Sequence, residues 1–405
     1  MLLLAVSTMF ITMGQGIVVP ILPLLVQSFG LAAAMVGVAV SAFALARVFA
    51  NIPAGFLTRH RGARDVLFVG ALLSALGNLM VALAPGYGSL IAFRFVAGLG
   101  SAMFITAAVA FVAEVSTPAN RGRLMTIYQA AFLLGITLGP SLGGIVAELF
   151  GLHAPFLLVA GVSALAGIWT FLKIPRTVAQ VSRPSTPAPT GAEGPAFTAE
   201  RSVFRNAGFI AVSLIALGVF FTRGGALFTL WPLLGQQRFH LGAAALGLLF
   251  VVPSATNLVC QPFVGALVDR LGRKTLIVPT VVLFAVALLL SAVAPTVAVL
   301  AIAMALYGIG QAIEAPTANS YVADLAPARE RAVALGVYRT FGDVGLVVGS
   351  PLLGLIGDHA GLSWGLVTNA GLILVPGALF WFVAKETPGL RPSAAVRPSR
   401  DSPGT

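Results

Sequence analysis

Charge is what this sequence has least of. Only 9% of its 405 residues are Asp, Glu, Lys or Arg, while 58% are hydrophobic. A water-soluble domain is about one quarter charged and nearer half apolar, so an ordinary soluble core is excluded. Cysteine is almost missing too. Cys260 stands alone, which rules out an internal disulfide or a cysteine cluster for metal. The four histidines, at 60, 153, 240 and 359, are too scattered for metal-ligand spacing. No metal and no cofactor are therefore expected. A Walker A or HExxH pattern is absent, which argues against ATP-driven work within this chain. The one nucleophile-like phrase, GLSWG at 361–365, falls at a helix–helix turn, whereas a hydrolase elbow needs a strand before it. An enzyme is not expected.

What fills the space is apolar runs. About 20 apolar residues cross a bilayer as a helix, and twelve such spans follow one another, from 3–26 and 33–56 through 207–232 and 242–267 to 363–384. The 45 Gly and 25 Pro, many of them inside these runs, are tolerable where neighbouring helices re-satisfy the freed backbone groups. The opening MLLLAVSTMF lacks the basic leader of a signal peptide. It reads as a retained first helix, with a start further upstream left open. The longest polar interval, 174–206, is rich in Pro, Ser, Thr and Ala and reads as a flexible linker. It splits the chain into six-helix halves at 1–173 and 207–384, followed by a disordered tail at 385–405. The expected fold class is an all-α polytopic membrane protein of twelve helices in two bundles.

The formal charge of +11 raises the question of nucleic acid, and placement answers it. With the N-terminus in the cytoplasm, nineteen of the 24 Lys and Arg fall in inner loops, linker and tail. One, Arg238, falls outside, and four (Arg47, Arg94, Arg223 and Arg339) fall within spans. That asymmetry is the positive-inside pattern. It predicts both termini in the cytoplasm, a multi-pass protein of the cell membrane, the bilayer as partner and no nucleic acid.

The halves are copies. At a constant offset of 210, Gly55 and Gly62 recur as Gly265 and Gly272, Gly98 and Gly100 as Gly308 and Gly310, and Arg121 as Arg331. Tyr128, Gly135, Gly139 and Gly144 recur as Tyr338, Gly345, Gly349 and Gly354, and Glu114 is answered by Asp324. An even number of helices per copy makes these parallel repeats about an axis along the membrane normal, with a site between them.

GALVDRLGRK (265–274) resembles the loop motif of the major facilitator superfamily. GQGIVVPILP (14–23), RFVAGLG (94–100) and GITLGPSLGG (135–144) resemble the first-, fourth- and fifth-helix motifs of its drug:proton antiporter branch. The resemblance covers nearly the whole chain. It implies a secondary transporter working by alternating access, with a small-molecule substrate and protons as partners. Its first reading is proton-coupled efflux of amphipathic molecules or drugs by a monomer. The second is a sugar, siderophore or other metabolite, anionic substrates included.

By the same resemblance, Gly265, Asp269, Arg270, Gly272 and Arg273 form a conformational latch, with Arg273 near Asp324. The upstream copy, GFLTRHRGAR (55–64), has Arg59 where the aspartate should stand, so a second latch is sought in Arg47 and Asp343, with Arg339 one turn away as the local alternative. Gly135, Gly139 and Gly143, with Gly144 and the kinking Pro140, read as helix packing.

Charge inside the membrane costs several kcal/mol unless paired or wetted. In the superfamily the first, fourth, seventh and tenth helices line the cavity. That places Thr8, Thr12 and Gln15 on one face of the first, Arg94 and Arg223 on the fourth and seventh, and Tyr307, Gln311 and Glu314 on one face of the tenth. Glu314, with Arg223, Arg94 and Asp343, is the proton-coupling candidate. Burial disfavours a carboxylate and a nearby guanidinium favours it, so the balance can release a proton. The competing reading is a permanent pair that only holds helices together.

Overall fold

The computed structural model describes residues 2–117, 120–174, 203–327 and 331–386. Most of the predicted linker and tail, 175–202 and 387–405, lies outside the described residues. Twelve helices among those described are long and apolar enough to cross a membrane. The first bundle comprises α1 (Leu2–Ser28), α2 (Ala33–Arg61), α3 (Ala63–Ala82), α4 (Tyr87–Val115), α5 (Arg121–Phe150) and α6 (Ala154–Lys173). The second comprises α7 (Ala207–Phe239), α8 (Ala243–Leu271), α9 (Arg273–Val293), α10 (Val297–Leu325), α11 (Arg331–Ala360) and α12 (Leu362–Val383). Lipid offers the backbone no hydrogen bonds, so helices that satisfy their own are the form such runs take.

The helices run longer than the apolar runs suggest. α2 and α8 continue past 56 and 267 to Arg61 and Leu271, so the loop motif sits on two helix ends rather than in a loop. Gly62 and Gly272 join the paired helices at φ +87, a conformation that a Cβ would strain. α7 passes the predicted end at 232 to reach Phe239. Arg238, expected in a loop, lies in its last turn and donates from Nη1 to the Ala292 carbonyl at 3.1 Å. The cation shares this carbonyl, in the last turn of α9, with the Ser363 hydroxyl at 2.9 Å.

Close packing rests on small residues. A Cβ at Gly139 would meet the Met13 carbonyl oxygen at 2.5 Å and the Gly16 Cα at 2.8 Å, which draws α5 onto α1. In the second bundle Gly345 and Gly349 bring α11 against the backbone of α7 at Leu217 and Phe221. Where no hydrophobic drive separates helix from lipid, such approach supplies the contact.

The bundles meet at the end remote from the chain termini. Gly144 of α5 touches Ala243 and Gly247 of α8, and Gly354 of α11 touches Ala33 and Ala34 of α2. Two carboxylates seal this end. Asp358 accepts from the backbone N–H groups of Ala33 and Ala34, both at 2.8 Å, and Glu148 accepts from that of Ala244 at 2.9 Å. Each sits on the exposed N–H groups and positive dipole end of a helix from the other bundle.

Losing such a cap costs about 1 kcal/mol. Glu148→Ala with Asp358→Ala is expected to lower the melting temperature in detergent. It is also expected to raise maleimide labelling of Ser41→Cys, a buried α2 position, in a Cys260→Ser background. Unchanged labelling would show that the caps do not hold this end shut.

Candidate functional site

A cavity of about 380 Å³ lies between the bundles, walled by α1, α2, α4 and α5 on one side and α7 and α11 on the other. Four guanidinium groups line it: Arg47, Arg94, Arg223 and Arg339. Arg94 is only 6% exposed. Its guanidinium lies 4.5 Å from the Phe43 ring centroid, and its Nε has no hydrogen-bond partner. Arg223 is half-buried, with Phe220 and Phe228 at 5.9 and 5.8 Å. Phe132 and Gln129 complete the polar–aromatic wall from α5. A smaller pocket of about 70 Å³ shares Gln15 and Arg223 and adds Gln311.

Local backbone aims Arg223. From Arg223 to Leu230 α7 is π-helical, with the Thr229 hydroxyl donating to the Gly224 carbonyl five residues back. Such widened turns recur at functional sites. Gly224 and Gly225 let the segment lie against Ser350, Leu346 and Leu353 of α11. The glycine pair is the only signal of this in the sequence.

Glu314 sits behind the wall, 3% exposed. It accepts a hydrogen bond from the Tyr338 hydroxyl at 3.2 Å, and Arg223 lies within electrostatic range. Asp343 is partly buried and feels Arg47 and Arg339. Among the described residues neither acid makes a direct ion pair with these arginines. Arg47 and Arg339, read from sequence as latch residues, thus line the cavity.

Other predicted cavity residues face packing instead. Thr8 and Thr12 are fully buried, and Thr12 donates to Phe132 O at 3.1 Å across the α1–α5 contact. Gly135 and Gly139 draw that face of α1 onto α5, which leaves only Gln15 of the trio on the cavity. Gln15 also donates to Ser101 Oγ at 2.7 Å. Tyr307 belongs to the aromatic core of the second bundle, 5.1 Å from both the Trp231 and Phe284 rings. It accepts from Gln311 at 3.0 Å.

Two parallel six-helix bundles enclosing a charged cavity agree with the family comparison. The Major Facilitator Superfamily model matches residues 4–245 and 214–402. The chain belongs to the major facilitator superfamily. It is 22% identical to Multidrug resistance protein 2 of Bacillus subtilis over 360 residues, 88% of each chain. It is 28% identical to the class C tetracycline resistance protein of Escherichia coli over 291 residues, 69% of this chain and 70% of that protein. Among solved structures, a bacterial homolog of the human lysosomal transporter Spinster, inward-facing and unoccupied, superposes with a TM-score of 0.80. It shares 15% identity and covers 94% of this chain and 95% of its own.

The superfamily's loop motif lies at the end of the bundle near the termini. Arg273 Nε approaches Asp324 Oδ2 at 3.3 Å, and its Nη1 donates to the Val268 carbonyl. Gly265 offers α8 no side chain, and those of Asp269 and Arg270 lie outside the described residues. The first turn of α9 is capped by Glu386, which accepts from the backbone N–H groups of Lys274 and Thr275 at 3.0 and 3.2 Å.

If Arg47 and Asp343 act as a pair, removing both costs less than the sum of removing each. A thermal-stability cycle of Arg47→Gln and Asp343→Asn is expected to show coupling of about 0.5–3 kcal/mol. Strict additivity would separate the two.

Proposed function

We propose that this transporter exports small amphipathic molecules or drugs in exchange for protons, by alternating access, from a cell membrane in which both termini face the cytoplasm. The observation that carries the reading is Glu314. It is a carboxyl enclosed by protein, hydrogen-bonded to Tyr338 of α11 and within the field of Arg223 of α7, which itself lines the cavity. A substrate that engages Arg223 alters the field at Glu314, so occupancy of the cavity and protonation of the carboxyl are linked.

The charge distribution supports the orientation. With the termini inside, the closure by Glu148 and Asp358 lies at the outer face. The state described is then closed toward the outside, as an exporter loading from the cytoplasm requires. The resistance proteins among its relatives support drugs as cargo.

Purified protein challenged with a compound panel at constant pH is expected to release protons on binding, and proteoliposomes to move the same compounds against a gradient when protons are supplied from the outer side. Glu314→Gln is expected to abolish both the release and the uphill movement while retaining binding. Efflux that persisted unchanged in Glu314→Gln would remove the residue from its role. No proton-linked movement of any panel member would end the exporter reading.

A further inference from the structure

We infer that the central cavity selects small amphipathic organic anions, a carboxylate or sulfonate carried on an aromatic body. This deepens the exporter reading and rests on it.

The described wall of the cavity presents four guanidinium groups and no carboxylate. Among the described residues none of the four makes an ion pair, and the Nε groups of Arg47 and Arg94 have no hydrogen-bond partner. Their acidic neighbours, Asp343 and Glu314, stand outside the described lining. Asp343 divides its field between Arg47 and Arg339, and Glu314 is engaged by Tyr338. Four positive charges face two acids, so the cavity stays net positive whether or not Glu314 holds a proton.

An organic cation entering this space meets repulsion that a poorly solvated site strengthens. A carboxylate or sulfonate instead supplies the charge-assisted hydrogen bonds that the guanidinium donors lack, and in the fork geometry that arginine favours. The aromatic rings give the remaining half of the recognition. Phe43 lies under Arg94, and Phe220 and Phe228 flank Arg223, holding the guanidinium planes by cation–π contact and offering an apolar surface beside them. A volume of about 380 Å³ sits at the small end of ligand pockets, so the cargo is a compact anion rather than a two-chain lipid.

The test uses the full chain in lipid nanodiscs and two radiolabelled probes that share one ring system, naphthalene carboxylate and naphthylmethylammonium. The carboxylate is expected to bind at least about tenfold more tightly. Arg94→Gln and Arg223→Gln are each expected to weaken it about tenfold or more, the scale of a charged hydrogen bond. Arg238→Gln, far from the cavity, is expected to leave it unchanged. Equal or tighter retention of the ammonium probe, failure of the carboxylate probe to bind at millimolar concentration, or unaltered carboxylate affinity in both cavity variants would overturn the inference. The wild-type comparison holds even where a variant fails to fold. Binding is read without a proton gradient, so the two proposals fail separately. Carboxylate bound without proton release would end only the exporter reading, and a cation exported with proton release while the carboxylate is refused would end only this inference.

Discussion

A bare charge among membrane helices costs several kcal/mol unless another group or water meets it, and each intramembrane charge here is placed where something does. Arg94 rests on Phe43, Arg223 lies between two phenyl rings, Glu314 takes the Tyr338 hydroxyl, and Arg47 and Arg339 share the field of Asp343. None of these arrangements saturates a guanidinium, which has five donors. The unsatisfied remainder must therefore face space that admits water or ligand. Among the described residues these four arginines share one interior space, the seam between the bundles, so the cost of charge points to the seam as firmly as any motif does.

The duplicated frame and the chemistry obey different rules. Structural positions keep the 210-residue offset. Gly144 and Gly354 seat the opposite bundle, and Glu148 and Asp358 cap α8 and α2. The charged residues of the site abandon it. Arg94 corresponds to Met304, Glu314 to Phe104, Arg223 to Met13, Arg47 to Asn257, Asp343 to Leu133 and Arg339 to Gln129. Duplication gave two bundles that meet along one seam. Loss of symmetry inside the seam then left two arginines in each half, on α2 and α4 in the first and on α7 and α11 in the second, and put both acids in the second. A symmetric seam would place like charges opposite each other, where repulsion in a poorly solvated space would hold the bundles apart.

What could be read from sequence follows from this division. Span number, the halves and the glycine contacts were legible because hydropathy and small-residue spacing act locally. Helix faces were not. These helices are apolar nearly all round, so periodicity does not say which side meets the cavity. Thr8, Thr12 and Tyr307 consequently turned out to pack, while Arg47 and Arg339 reached the wall. The π-helical segment of α7 leaves only Gly224-Gly225 as its trace. The Asp358–Ala33 contact joins residues 325 apart in sequence. Yet Glu148 and Asp358 keep the same offset as the glycines, and extending the repeat to that pair would have exposed the caps.

The two ends of the molecule also differ in how they can open. At the end remote from the termini, closure is made twice by equivalent parts, each a carboxylate on the first turn of a helix from the other bundle beside a glycine contact. Packed small-residue surfaces are bistable rather than gradually deformable, so each copy favours a definite closed arrangement over partial opening. Among the described residues the opposite end shows no such duplication. Its first loop has Arg59 where the second has Asp269, the Arg273–Asp324 contact belongs wholly to the second bundle, and Glu386 ties α9 to the chain that follows α12. A joint that is duplicated at one end and, among the described residues, asymmetric at the other fits the proposal that the bundles pivot about their seam. The duplicated end supplies a definite closed state, while the ion pair described at the other end lies in the second half.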